Sequence, residues 1–265
     1  MNGLLERGLA VLEYLAGRAE GAPITDIAQA LDIPHSAAHR VLASLTERGY
    51  VRQLRAQGDY VLTIKLASLG LGFLSGSGIV DIAQPALDQL AETSGELVRL
   101  AVIDSDRLVW VTRAQGARRG LRYDPDMGMA ARLSCTATGH AWLLTMTDDE
   151  ALMRVARQGL GAPRDYGPNA PTTARALLKF VRGARKRGFS MIDEVFTPGM
   201  TAMAAPVRRP DKAVIGVVSI AGPRARLTTK RMQQLGPALL DAAAEIGAAS
   251  VASTLFRNRP KEARA

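Results

Sequence analysis

The stretch that most constrains this chain is Ile24 to Gly49, ITDIAQALDIPHSAAHRVLASLTERG, which reads as two short helices joined by a tight turn. In its second half Ala38, Val41, Leu42 and Leu45 recur at i, i+3, i+4 and i+7, so they share one face of a helix packed against a core. The opposite face carries Ser36, Arg40 and Ala43, with His39 and Ser44 toward its edges. Small and hydrogen-bonding side chains let a helix approach base edges, and an arginine can reach guanine acceptors or phosphate. Pro34 and Gly49 punctuate the helix, a proline being tolerated at a helix start and a left-handed glycine commonly ending one. By itself this pattern also fits an ordinary surface helix of a small helical domain.

The flanking residues favour DNA. Leu4 to Arg18 repeats apolar residues at helical spacing (Leu5, Leu9, Leu12 and Leu4, Val11, Leu15), predicting a first helix that covers the turn motif and ends at Gly21-Ala22-Pro23. Thr25 is expected to cap the next helix, with Asp26 in its first turn and Ile27, Ala28 and Leu31 facing inward. After Gly49 the period becomes alternating, Tyr50 to Leu54 and Asp59 to Leu62 about a turn at Arg55-Ala56-Gln57-Gly58, which predicts a β-hairpin wing. Three helices and a wing make a winged helix-turn-helix. Its candidate DNA contacts are Thr25, His35, Ser36, His39, Arg40 and Ser44, with Arg52 and Arg55 from the wing. Global charge is a weaker argument: residues 1–65 hold seven Lys/Arg and seven Asp/Glu, so the net +9 lies wholly beyond them. Locally, Arg40, Arg48, Arg52 and Arg55 against Glu47 still make a basic stripe, and phosphate neutralisation needs no more.

With 265 residues, 47% of them hydrophobic, the chain can bury one large or two modest cores. A single cysteine excludes an intramolecular disulfide framework, and there is no cleavable signal pattern or uncharged apolar run of about 18 residues. A soluble cytoplasmic protein with no membrane partner is expected. Ile64 to Leu74 has helical apolar spacing but contains Gly70 and Gly72, each costing roughly 1 kcal/mol relative to alanine, so a linker helix stabilised by a dimer partner is expected. Ser75-Gly76-Ser77-Gly78 marks the boundary. Beyond it a helix (Val80 to Thr93, bent near Pro85) is followed by strands at Glu96 to Asp104, Arg107 to Arg113 and Gly120 to Asp124. Thr136 to Met146 is an apolar helix, and Thr147 with Glu150 forms a capping box for the next. After a Gly/Pro-rich loop, a helix at Ala174 to Lys186 closes at Gly188, and strands at Phe189 to Asp193, Thr201 to Arg208 and Val214 to Ala221 complete a mostly antiparallel sheet. Thr228 or Thr229 caps a final helix to about Leu255. The expected class is α+β, with a winged helix-turn-helix at 1–63, a linker helix and hinge at 64–78, an effector domain at 79–256 and a disordered tail at 257–265.

Several segments together resemble IclR-type bacterial transcriptional regulators over nearly the whole length: LERGLAVLEYL, ITDIAQALDIPHSAAHRVLASLTERGYV, GDYVLTIKLASLG, QPALDQLAETSGE, LSCTATGHAWLL, FTPGMTAMAAPV and IGVVSIAGPRARLT. The resemblance implies a GAF-like effector domain, a homodimer or dimer of dimers, palindromic double-stranded operator DNA and a small-molecule effector. It places the effector between the sheet and Ser134 to His140. Backbone donors at Ala137 and Thr138 would suit a carboxylate, with Ser134, Cys135 and side chains from the FTPGMTA segment (196–202) beside it. Leu121, Tyr123, Met127, Leu133, Met200 and Met203 would supply apolar walls. Members that bind small keto acids commonly carry an acidic residue and a cysteine where this chain has Ile192 and Ala202, which points to a larger or less polar ligand, such as an aromatic or longer-chain carboxylate.

Other features carry competing readings. His35 and His39 could share a metal, but no third ligand is evident, so no metal is expected. Cys135 and His140 could form a thiol nucleophile and its base, which keeps open an enzyme or sensor without DNA function, or they could be a small buried thiol and a helix-surface imidazole. The glycines of LGLGFLSGSG neither follow a strand nor precede Lys-Ser/Thr, so no phosphate-binding loop and no cofactor is expected. Arg99, Arg113 and Arg122 could pair with an anionic effector or with surface acids.

Overall fold

The computed structural model describes residues 3–55, 58–125 and 127–257. The chain divides between Phe73 and Leu74 into two compact units. In the first, α1 (Leu4–Ala16), α2 (Ile24–Ala30) and α3 (His35–Glu47) precede a hairpin of β1 (Val51–Gln53) and β2 (Tyr60–Leu62), paired antiparallel with Val51 opposite Leu62. Val11, Leu15, Ile27, Val41, Leu42 and Val51 form its core. Ala22 adds an antiparallel bridge to Tyr60, fastening the α1–α2 connection to the wing. Gly21 permits it: its φ is +88° and a Cβ there would lie 2.7 Å from the Tyr60 carbonyl oxygen. Of the wing turn, Arg55 and Gly58 are joined by a 2.8 Å backbone hydrogen bond, while Ala56 and Gln57 lie outside the described residues.

Two local expectations fail here. Pro23, not Thr25, is the N-cap of α2; Thr25 stands one residue inside the helix with its hydroxyl on Asp26. Proline tolerates the extended conformation a cap needs, so the helix starts two residues early. On α1, Val11 and Leu15 are buried, but Leu4, Leu5 and Leu9 are exposed, Leu5 to 78%. Only the C-terminal half of α1 packs on the core, through Val11, Leu12, Tyr14 and Leu15.

α4 (Lys65–Ser77) continues as helix through Ser75-Gly76-Ser77 and stops at Gly78, whose φ is +68°. The stop is anchored by hydrogen bonds from the Ser253 hydroxyl to the Ser77 carbonyl (2.6 Å) and from the Thr254 hydroxyl to the Gly76 carbonyl (3.2 Å). In the second unit an antiparallel sheet of order β4-β3-β7-β6-β5 is built from β3 (Leu97–Asp104), β4 (Arg107–Gln115), β5 (Ser190–Asp193), β6 (Met200–Arg208) and β7 (Val214–Pro223). Side chains alternate between its faces. Val98, Leu100, Val102, Met203 and Ile220 pack under α5 (Ile79–Ser94) and α9 (Thr229–Ala249). Ala101, Leu108, Trp110, Ala204 and Val217 pack under α6 (Ala137–Leu143), α7 (Asp148–Gln158) and α8 (Ala174–Arg187). The architecture is α+β.

Thr136, Thr147 and Thr228 cap α6, α7 and α9, with Thr147 and Glu150 forming the expected capping box. Gly120 to Asp124 is not a strand. Side chains hold it instead: Asp124 engages Arg113, and Arg226 donates to the Leu121 carbonyl at 2.9 Å. The last helix is also interrupted, α9 giving way to a 3-10 turn at Ser250–Ala252 and then α10 (Thr254–Arg257). Residues 229–252 are long and apolar enough to cross a membrane by length and composition, but Met232, Leu235, Leu239, Ala243 and Ile246 are buried in the core beside the sheet. Residues 258–265 of the expected tail lie outside the described residues.

Candidate DNA-contacting face and effector pocket

On α3 the buried residues are Ala37, Ala38, Val41 and Leu42, which leaves His35, Ser36, His39, Arg40 and Ala43 exposed along the opposite side, with Ser44 half-buried at the edge. Thr25 is exposed on α2, and Arg52 and Arg55 are exposed on the wing. The helix is locked in place by Gly49, left-handed at φ +73°, and by Lys65, whose Nζ donates to the Arg48 carbonyl at 2.5 Å and lies over the Tyr50 ring. Among the described residues no carboxylate pairs with Arg40, Arg52 or Arg55, and no group of three or more His, Cys, Asp and Glu could hold a metal.

In the second unit a cavity of about 450 Å³, counting its open mouth, lies on the α6 face of the sheet. Its lining includes six of the twelve residues expected there: Tyr123, Ala137, Thr138, Ile192, Met200 and Ala202. The other six lie outside the lining. Leu121 is exposed, Met127 is half-buried against the α6-side core, and Leu133 and Cys135 are within that core. Ser134 is buried and its hydroxyl donates to the Leu160 carbonyl at 3.0 Å. Met203 points to the α5/α9 face, the side opposite Ala202, as strand alternation requires. Thr136, Phe196, Thr197 and Thr201 of the lining fall within the two segments expected there, Ser134 to His140 and FTPGMTA; Trp110, Ser219 and Ala221 carry no such expectation, and Arg99 stands between two roles. Arg99 carried a readable signal: a lone cation in the otherwise apolar run LVRLAVI.

The α6 edge of the cavity is rigid. The Thr136 hydroxyl donates to the Arg132 carbonyl (2.6 Å) and accepts from the Gly139 N–H (2.9 Å), while the Ser190 hydroxyl ties the Ala137 carbonyl to β5 (2.6 Å). Gly139 has no room for a side chain, since a Cβ would lie 2.5 Å from the Leu133 Cα. Across the cavity, Arg99 and Trp110 are each 6% exposed, with the guanidinium carbon 4.0 Å from the indole centroid. A bulge between Leu100 and Ala101 in the β3–β4 pairing sets Trp110 opposite Ala101, bringing it to the same face as Arg99. Neither Arg99 Nε nor Trp110 Nε1 has a hydrogen-bond partner.

Cys135 and His140 do not make an activated pair. Burial pushes the thiol up to about 11, favouring the unreactive protonated form. Burial also lowers His140 to about 4; its Nε2 is 2.8 Å from the Ser134 carbonyl oxygen and its ring packs on Phe180.

Residues 4–55 match the IclR helix-turn-helix domain, and residues 72–248 match the family described as bacterial transcriptional regulator IclR C-terminal. The chain belongs to the IclR family. Its relatives include the transcriptional repressor IclR of Escherichia coli (strain K12), 28% identical over 243 residues that cover 91% of this chain and 88% of that protein. The HTH-type transcriptional repressor AllR of Salmonella paratyphi A is 27% identical over 245 residues, 92% of this chain and 89% of that one. Among solved structures, an IclR regulator from Alicyclobacillus acidocaldarius superposes with TM-score 0.79 at 24% identity, covering 93% of this chain and 98% of its own. An IclR homologue from Microbacterium hydrocarbonoxydans, solved with 4-hydroxybenzoate, gives TM-score 0.77 at 21% identity and 95% and 100% coverage. The chain is thus a DNA-binding transcriptional regulator of the IclR type, with an effector domain that modulates it through a small ligand.

Proposed function

We propose that this IclR-family regulator reads its operator with α3 and the wing, and that an acid with an apolar body, bound in the cavity of the second unit, changes its operator affinity. The observation that carries the DNA half is the exposed face of His35, Ser36, His39, Arg40 and Ala43, continued by Arg52 and Arg55 and left without carboxylate partners among the described residues. Thr25 and Ser44 flank it. In this reading the functional divisions are the DNA-binding part at 1–63, the hinge at 64–78 and the effector part at 79–256, all in the cytoplasm. Cys135 and His140 serve packing and have no catalytic role. Ile192 and Ala202 leave the cavity floor apolar, which suits an aromatic or alkyl carboxylate better than a small keto acid; the 4-hydroxybenzoate complex of the Microbacterium hydrocarbonoxydans homologue is consistent with that class.

The regulator acts as a homodimer or dimer of dimers on palindromic DNA. Leu4, Leu5 and Leu9 of α1 and Leu66, Leu69, Leu71 and Phe73 of α4 are exposed apolar side chains that a second copy would cover. The test is retardation of DNA from upstream of its own gene at fixed salt. Arg40→Ala is expected to weaken binding by about 1–3 kcal/mol, the usual loss for a good base contact; unchanged affinity would remove Arg40 from the interface.

A further inference from the structure

Among the described residues, several arginines of the second unit have acidic partners. Arg113 and Arg122 pair with Asp124, and Arg226 forms a two-pronged pair with Glu96. Arg99, the most buried of them, has none among the described residues: its electrostatic neighbours are Tyr123 and a second cation, Arg113. Burial lowers it to about 10, so at neutral pH it is still a cation, held inside the protein against its solvation preference. An ionic group removed from water without a partner is costly, and stacking on Trp110 recovers only part of that loss. The indole N–H beside it is unpartnered as well.

Resting on the effector-site reading above, we propose that Arg99 and Trp110 hold the anionic group of the effector, the guanidinium pairing with a carboxylate and the indole N–H donating to it. The body of the ligand lies against Ile192, Phe196, Met200 and Ala202. The lining hydroxyls are neutral donors and supply no second cation. Those of Thr136, Thr201 and Ser219 already donate to the carbonyls of Arg132, Leu227 and Arg99. One cation and an apolar wall therefore select a monoanionic aromatic or alkyl carboxylate over a phosphate, whose second charge would have no counter-ion. At the α6 end of the cavity the Gly139 N–H is already occupied by Thr136.

The test uses the full-length protein with benzoate, phenylacetate and hexanoate, each against its own neutral amide, by calorimetry and thermal unfolding. At least one acid is expected to bind and its amide to bind at least about tenfold more weakly. Arg99→Gln is expected to weaken the acid by roughly tenfold to a hundredfold, the loss typical of a charged hydrogen-bonded pair, and Trp110→Phe by a few-fold while keeping the stacked ring. Binding of none of the three acids, equal binding of acid and amide, or unchanged acid affinity in Arg99→Gln would overturn the assignment. A second readout needs no ligand: Arg99→Met should unfold at the same or a higher temperature than the wild type, because it removes an unpaired buried charge. A marked drop would make Arg99 a structural residue. Failure of the wild type to retard any DNA counts against the regulator reading, whereas acid binding that ignores Arg99 counts against this anchor alone.

Discussion

His140 is a fully buried imidazole whose protonation is opposed chiefly by burial and only partly favoured by the Ser134 carbonyl. With a folded value of about 4 against 6.5 for the ordinary side chain, the unfolded chain binds the proton more readily. The stability His140 contributes is complete above about pH 6.5 and is lost as pH falls toward 4, by up to about 3 kcal/mol. Denaturant unfolding of wild type and His140→Leu across pH 7 to 4 checks this: the wild-type slope should be steeper, and parallel slopes would contradict it. The helix period puts His140 on α6 and suggests a surface imidazole, but it is buried, because depth depends on α8 arriving from 40 residues away with Phe180. Met203 and Ala202 teach a related lesson. Strand alternation puts them on opposite faces, yet which face holds the cavity follows from where α5, α6 and α9 dock. The bulge that brings Trp110 beside Arg99 is equally a property of pairing, with no mark in VWVTR itself.

At the scale of elements, capping was the most legible feature. Thr147 and Glu150 satisfy each other's backbone within four residues, so the signal is local, and Thr147→Ala should cost about 1 kcal/mol in thermal unfolding. The segment Gly120 to Asp124 was misread as a strand because its conformation is set from outside. Arg226, arriving from beyond β7, bridges the buried Glu96 carboxylate and the Leu121 carbonyl, and the hydrogen bond to Glu96 raises the Arg226 pKa. Arg226→Met is expected to lower stability by roughly 3 kcal/mol, since Glu96 would be left buried and unpaired. It should also shift Tyr123 at the cavity edge and weaken acid binding; a variant with wild-type unfolding would show that the pair is not holding this segment.

For the whole molecule, the order of helices, wing and sheet could be read from periodicity and punctuation, but not what the apolar faces meet. Leu4, Leu5 and Leu9 repeat like core residues and stand exposed on this chain, as do Leu69, Leu71 and Phe73. If a second copy covers them, Leu5→Glu with Phe73→Glu should shift the protein to monomer in light scattering and abolish tight operator binding. A monomeric wild type would remove the dimer from the account. Coupling between the two units is a statement about free energy, and it must be reciprocal: an acid that changes operator affinity by some factor must itself be bound with affinity changed by that factor when DNA is present.

That reciprocity offers the most direct measurement of the central claim. The affinity for DNA upstream of the gene is measured by fluorescence anisotropy at fixed salt with and without saturating benzoate, or whichever of the acids above binds. The acid's own affinity is then measured with and without that DNA. The account predicts tight DNA binding, a ligand-dependent change of about 5- to 150-fold, the same factor in both directions, and its loss in Arg99→Gln. Tight binding of the acid with no change in operator affinity would contradict it.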